Sequence, residues 1–434
     1  GIAELSHRNF IKDEILLRMK HGNATHVLSS SKDCHKFKKI KEEINIKSIF
    51  VVGKSEGCTS TSEFKTLNEK EFQEVPLTDV KKELAALIYT SGTTGISKVV
   101  EATQYSFVTA LQPSRLDLTF DETDIIATWG PITFNFGFRY YLSIVCSGST
   151  AVVLSRDTPV QEMVDTLRKH EVTTLSGPVV VLQQLVKELE KTSGSLDSVI
   201  KVEAFGVLLS KQVAREILSA FNLKGLRNSY GATDGGGMIC TTLKKKIACD
   251  TIGFPVPMTQ IKVVDTETGR VLGPGERGQL YIRSPMLLAS FRNNADSTSV
   301  VFTPDGWMLS GDIGYYDDAG QFYIVERMKD CINCMGYQVL PADIEALLLS
   351  HADVSEAAVA GVPHDQYNEV AKAFVVLEPA SHNKAMRVTE NDLQDFVADR
   401  VPVYKRLYEG VVFLDSLPKT GTGKVQKQIL KGTA

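Results

Sequence analysis

Over residues 143–231 the chain repeats one pattern, a short β-rich run followed by a stretch of helical period, and this restricts the available folds more than any other feature. Thr150-Ala151-Val152-Val153-Leu154 is one such run, and the 161–170 segment after it sets Met163, Val164 and Leu167 on one helical face. A further helix is predicted from Ser210, a good N-cap, with Val213, Ile217, Leu218 and Phe221 on one side. Repeated βα units lay strands parallel and cover them with helices, so the predicted class is α/β. Strand-like segments at 261–265 and 279–283 follow, separated by a turn-rich stretch containing Gly273-Pro274-Gly275, so a β-rich portion succeeds the α/β body.

The character changes again after Phe322-Tyr323-Ile324-Val325, where Glu326-Arg327-Met328-Lys329-Asp330 interrupts the apolar pattern. We place a domain boundary there, giving a large body over 1–327 and a small domain over 328–434. In the latter, Pro341 suits the first turn of a helix through Ile344, Leu347 and Leu348, and Thr389-Glu390-Asn391-Asp392 has the form of a capping box. Strand candidates at 357–362 and 373–377 lie between these helices, so the small domain reads as α+β.

Composition narrows the function classes. With 43% apolar and 23% charged residues the chain is an ordinary globular protein, and 32 Gly and 15 Pro without a period exclude collagen-like readings. A net charge of -4 supplies no basic field for a nucleic acid backbone. The seven cysteines, odd in number and scattered from Cys34 to Cys334, fit a reducing compartment, so an intracellular and chiefly cytoplasmic setting is expected. A peroxisomal one stays open, although the last residues do not form a Ser-Lys-Leu address. No apolar stretch approaches the roughly 20 residues of a transmembrane helix.

Four segments carry chemistry. Tyr89-Thr90-Ser91-Gly92-Thr93-Thr94-Gly95-Ile96-Ser97-Lys98 follows an apolar run and has the makings of a phosphate-wrapping loop: glycines admit close backbone approach, hydroxyls donate, and Lys98 adds charge. It is not a Walker A loop, since no Gly-Lys-Ser/Thr closes it. Tyr230-Gly231-Ala232-Thr233-Asp234 offers a ring to stack a base and a carboxylate to hold a metal, or else is a glycine-rich turn with a surface Asp. Ser310-Gly311-Asp312 and Arg327 suit ribose hydroxyls and phosphate oxygens, or a surface turn and a salt bridge. Pro418-Lys419-Thr420-Gly421-Thr422-Gly423-Lys424 presents lysines on a glycine-bearing loop. Cys331 and Cys334 form a Cys-x-x-Cys that lacks a second pair or a nearby His, and we read them as two ordinary loop thiols.

In this order and spacing, these segments together with Gly336-Tyr337-Gln338-Val339 resemble the adenylate-forming superfamily of acyl-CoA synthetases, 4-coumarate-CoA ligases and beetle luciferases. The resemblance implies a large multi-subdomain N-terminal body, a mobile C-terminal domain and an acid-thiol ligase. Such a ligase activates a fatty or aryl carboxylic acid with ATP and Mg²⁺ to acyl-AMP, then transfers the acyl group to coenzyme A. By resemblance, Thr90, Ser91, Gly92, Thr93, Thr94, Gly95 and Lys98 embrace the terminal phosphates, and Thr233 contacts the α-phosphate. Gly206, Asn228, Tyr230, Gly231 and Ala232 surround the adenylate, while Asp312 and Arg327 take the ribose. Asp234 is the metal ligand, and Lys424 bridges carboxylate and α-phosphate. Lys329, or its neighbour Asp330, is the hinge about which the small domain exchanges the Lys424 loop for the loop of Gly336 and Gln338. Phe134 and Phe205 border the acyl pocket.

The sequence also departs from the superfamily pattern. Asp234 stands where a glutamate is usual, Ser97-Lys98-Val99 replaces Pro-Lys-Gly, and Phe205-Gly206-Val207-Leu208 puts a ring where Gly-Gly-Ala-Pro is usual. Asn333 and Met335 occupy positions often held by lysine. These changes admit an alternative, an impaired or luciferase-like relative that binds nucleotide or acyl ligand without making a thioester. The phosphate loop also begins at residue 90, where the resemblance predicts a longer N-terminal section.

Overall fold

The computed structural model describes residues 2–4, 12–41, 43–89, 99–111, 120–129, 132, 135–155, 158–207, 209–243, 247, 249–288, 290–292, 294–378, 388–419 and 425–432. Its centre is a seven-stranded sheet in the order Phe254–Pro255, Gly237–Thr241, Gly225–Ala232, Lys201–Phe205, Thr174–Pro178, Ile125–Thr128, Thr150–Val153. The last five strands in that order pair in parallel, as the alternating pattern requires. Parallel neighbours need crossovers, and the helices Val160–Lys169, Val179–Thr192 and Lys211–Ala220 supply them. Met163, Val164, Leu167, Leu182, Leu185 and Ile217 on these helices pack with Leu175, Val202 and Leu226 of the strands in one core. Ser210 caps the third helix by accepting from the Val213 N–H, whereas Phe221 lies just past its end, extended and buried.

The β-rich portion is a four-stranded antiparallel sheet, Gln260–Val264, Gly278–Arg283, Met308–Tyr316 and Phe322–Arg327 in sequence and in space. It shares a core with the central sheet, since Ile239 and Cys240 of the latter pack with Val263, Leu280, Ile282 and Met308. That shared core holds the two sheets against each other, and the candidate site forms along their junction. Another sheet pairs Leu84–Tyr89 antiparallel with Val99–Thr103, the two strands that bracket the 90–98 segment in the sequence.

Beyond Arg327, a turn of 3-10 helix at Met328–Asp330 leads into the small C-terminal unit. Its sheet runs Tyr337–Val339, Ile332–Cys334, Asn368–Leu377, Val354–His364, with Val411–Phe413 also paired to Asn368–Leu377. The helices Pro341–Leu349 and Glu390–Ala398 bury Ile344, Leu348, Leu393 and Val397 in a core separate from that of the body. Thr389 makes the capping box, its hydroxyl accepting from the Asp392 N–H while the Asp392 carboxylate accepts from the Thr389 N–H at 2.8 Å. Among the described residues no helix is long and apolar enough to cross a membrane.

Leu175 is fully buried on the central strand Thr174–Pro178, so Leu175→Ala leaves a void between sheet and helices. Denaturant unfolding is expected to show the body's transition destabilised by about 2–5 kcal/mol. The small unit's transition, resting on its own core, is expected to stay in place.

Candidate functional site

In an open α/β sheet the strand ends carry the exposed loops, and ligands collect outside the carboxyl ends. The strands Lys201–Phe205 and Gly225–Ala232 run parallel with Phe205 opposite Ser229, so Phe205 and Gly206 come to the same edge as Tyr230 and Gly231. Gly206 has φ +92, a conformation open to glycine at little cost, and a Cβ built there would meet nothing within 4 Å. Among the described residues, then, nothing crowds the sheet edge at Gly206. On the neighbouring strand the turn after Asp234 is closed: Gly236, at φ +75, lies so near the Met286 carbonyl that a Cβ would collide with it. The Leu288 N–H donates to the Asp234 carbonyl at 3.2 Å, fixing the Thr233-Asp234 turn against the 286–288 backbone.

Tyr230 reaches from the central sheet to the antiparallel one, where its hydroxyl donates to Asp312 Oδ2. Asp312 Oδ1 lies 2.9 Å from Arg327 Nε, and the two residues are direct cross-strand partners. The Arg327 guanidinium also donates to the Ser310 carbonyl at 3.3 Å, while the Ser310 hydroxyl accepts from the Asp312 N–H at 3.0 Å. Burial, and then the Asp312 carboxylate beside it, push the Tyr230 phenol well above its ordinary pKa, so it stays a donor. Tyr230, Asp312 and Arg327, separate in the sequence, thus form one ordered relay. Asp312 is almost wholly buried and Arg327 half exposed, so the relay points from the junction of the sheets toward solvent.

Sequence reasoning missed a second cluster beneath this one. Glu203, a charged residue on a buried strand, accepts from Ser229 at 2.8 Å, Tyr140 at 3.1 Å and Ser176 at 3.4 Å. Tyr140 stands between Phe120, edge-on at 5.1 Å, and Phe205 at 6.4 Å. Phe205 is therefore one wall of an aromatic group whose middle ring is held by a buried carboxylate. Arg139, beside Tyr140 in the helix Asn135–Cys146, is buried with its guanidinium 4.6 Å above the Phe107 ring, and burial draws its pKa down to about 9. The one sequence signal for this cluster was a glutamate within the strand Lys201–Phe205. Asn228, expected beside the adenylate, is buried and donates its amide to the Thr251 carbonyl at 3.0 Å, a bond that ties strand to loop.

Of the remaining expected site residues, Ala232 ends its strand half-buried, and Lys329 is exposed on the turn between body and small unit. Gly336 and Gln338 are exposed on the hairpin Ile332–Cys334/Tyr337–Val339. Met335 and Gly336, at φ 54 and 80, make its two-residue turn, the geometry that matches the twist of the flanking strands. Thr90, Ser91, Gly92, Thr93, Thr94, Gly95, Lys98, Phe134 and Lys424 lie outside the described residues. No cluster of three or more His, Cys, Asp or Glu suited to a metal occurs among the described residues. A magnesium ion carried on substrate phosphates needs only one or two protein carboxylates, which the single Asp234 can satisfy.

Residues 7–291 match the family model described as AMP-binding enzyme, and residues 343–424 match that of the AMP-binding enzyme C-terminal domain. Luciferin 4-monooxygenase of Nipponoluciola cruciata is 32% identical over 356 residues, 81% of this chain, and the match spans 64% of that relative. A 4-coumarate–CoA ligase of Nicotiana tabacum is 28% identical over 99% of this chain and 80% of its own length. Among solved structures, ATP-bound MatB from Rhodopseudomonas palustris has a TM-score of 0.84 over 100% of this chain and 84% of its own, and at 22% identity it is a likeness of fold.

Cys334 is buried in the strand Ile332–Cys334 and so is no loop thiol; Cys331 lies just before that strand, and both are free. Burial, reinforced by Glu326 and Asp330, lifts the Cys331 thiol to about 11 from 9.0. Its thiolate fraction near neutral pH is then about one hundredth that of an ordinary cysteine, rising tenfold per pH unit until the pKa. Iodoacetamide labelling followed by peptide mass spectrometry is expected to show Cys331 alkylated about 100-fold more slowly than exposed Cys146 at pH 7. Comparable rates would remove the physical basis for treating Cys331 as inert.

Proposed function

This chain belongs to the AMP-binding enzyme family, and from that membership we propose that it activates a carboxylic acid with ATP and passes the acyl group to coenzyme A. The observation that carries the reading is the Tyr230–Asp312–Arg327 relay beside the sheet edge at Gly206. A nucleoside monophosphate needs a carboxylate for its ribose hydroxyls, a cation near its phosphate and a face for its base. Asp312, Arg327 and the Tyr230 ring are these groups. A carboxylate has about four acceptor sites, so Asp312 keeps capacity for ribose while bonded to Tyr230 and Arg327.

In the first step the acid's carboxylate attacks the α-phosphate and pyrophosphate leaves, so negative charge gathers where donors and cations must already stand. Lys424 is assigned to the developing charge between carboxylate and α-phosphate, Thr233 to the α-phosphate, and the 90–98 loop to the departing pyrophosphate. Magnesium, when bound, would neutralise phosphate charge, and Asp234 is the residue assigned to hold it. In the second step a thiol displaces AMP. The small domain, taken as 328–434, would turn about Lys329 or Asp330 and bring the Gly336–Gln338 hairpin to the body. Phe205, held against Tyr140, is assigned to the acyl wall.

A second reading has two observations in its favour. Asp234 is a methylene shorter than the usual glutamate, and the relatives matched include luciferin 4-monooxygenases, which favours an impaired or luciferase-like relative that binds nucleotide or acyl ligand without forming a thioester. Pyrophosphate release with ATP and a panel of fatty, aryl and short-chain acids tests the main reading; binding of ATP without release for any acid would sink it. Thioester formation with coenzyme A then separates ligase from adenylate-only chemistry. Lys424→Ala is expected to abolish acyl-AMP formation while leaving thioester formation from supplied acyl-AMP largely intact. Phe205→Gly is expected to broaden the panel toward bulkier or longer acids, and an unchanged profile would remove Phe205 from the pocket wall.

A further inference from the structure

Two ion bridges fasten the small C-terminal unit to the body, and both end on the helix Pro341–Leu349. In the first, the Lys427 ammonium sits 3.2 Å from Glu326 Oε2 and 3.0 Å from Glu345 Oε1. All three side chains are largely withdrawn from water, at 14%, 11% and 20% exposure. Glu345 Oε1 also accepts from the Val359 N–H at 2.7 Å, which fixes it to the small unit's own sheet. Glu326 Oε1 accepts from the Arg327 N–H at 3.0 Å, which fixes it at the root of the relay arginine. In the second bridge, Arg277 lies 2.8 Å from Asp343, itself paired with Lys405 at 2.6 Å. Arg277 is about half exposed, so water screens that pair and it contributes little.

The buried bridge has an uneven charge count, two carboxylates around one ammonium. Burial, with the Glu345 carboxylate adding to it, lifts the Glu326 carboxyl above its usual range, and the Lys427 ammonium opposes that lift. With Lys427 neutralised, Glu326 and Glu345 would face each other as like charges, so one substitution both removes an attraction and adds a repulsion. The bridge also straddles the turn Met328–Asp330. Rotation about that turn carries Lys427 and Glu345 together and parts Lys427 from Glu326, along with the weaker pair Arg277–Asp343.

We propose that Lys427 and Glu326 are a positioning pair that holds the small unit in the orientation where the chain just beyond Lys424 touches the strand ending in Arg327, and that this contact must part for the thiol step. The inference rests on the two-step reading above. It assigns to Lys427 a role in choosing between half-reactions, and Lys427 follows Lys424 by three positions.

The test measures orientation and chemistry separately. Spin labels at the exposed positions Lys191 and Glu390, one in the body and one in the small unit, report the distance distribution by double electron–electron resonance, with exposed Cys146 replaced. The unsubstituted protein is expected to give one dominant distance, and Lys427→Met a shifted or added population. Glu326→Gln, which leaves Lys427 with Glu345, should shift the distribution less, and Lys427→Arg should restore it. Alongside, Lys427→Met should slow acyl-AMP formation on the order of tenfold, the scale of one buried pair, without slowing thioester formation from supplied acyl-AMP. An unchanged distance distribution in both Lys427→Met and Glu326→Gln, or equal loss in both half-reactions, overturns the proposal. If no acid is activated, the two-step reading fails, and the distances still decide whether the pair holds the orientation.

Discussion

The bond from the Tyr230 hydroxyl to Asp312, continued to Arg327, is the interaction on which the rest of the site depends. It joins the last parallel strand of the α/β sheet to the antiparallel sheet, and Arg327 ends the strand that the turn Met328–Asp330 follows. A carboxylate as buried as Asp312 is costly without donors, and here it has a phenol and a guanidinium. The arrangement sets the carboxylate assigned to the ribose and the residue just before the turn Met328–Asp330 in one hydrogen-bonded unit.

Around that unit the physical design is layered. The shared core of Ile239, Cys240, Val263 and Leu280 fixes the two sheets so that Tyr230 can reach Asp312. Glu203 and its three hydroxyl donors brace the strand behind Phe205, in a place where an unsatisfied carboxylate would be strongly destabilising. The small unit, with its own apolar core, meets the body through ion pairs. Polar contacts of that kind can be exchanged for water or for other polar partners at modest free-energy cost, as an apolar core cannot, and this suits a junction expected to move.

Much of this was legible in the residues. The alternation of β-rich and helical stretches gave the parallel sheet, because parallel neighbours require crossovers, and Ser210 and Thr389 marked helix starts through side chains that satisfy otherwise unpaired N–H groups. The motifs at 230–234, 311–312 and 327 singled out Tyr230, Asp312 and Arg327, which the structure brings into contact. Their mutual contact was not legible, since Tyr230 and Asp312 stand 82 positions apart and either could have been a surface residue. Glu203 gave only the weak signal of a charge in an apolar strand, and its partners Tyr140, Ser176 and Ser229 lie on three other elements. The Cys-x-x-Cys was read as two loop thiols, whereas hairpin pairing puts Cys334 inside a strand.

By itself, then, the sequence determined what is local: periodicity, caps and the chemical type of each candidate residue. Local signals suffice there because the deciding interactions span a few positions of one element. Only the tertiary structure decided which charges pair. Lys427 could have faced solvent, and it is instead enclosed by Glu326, 101 positions away, and by Glu345. The strength and direction of such a pairing depend on burial, and burial is set by how two separately cored units meet.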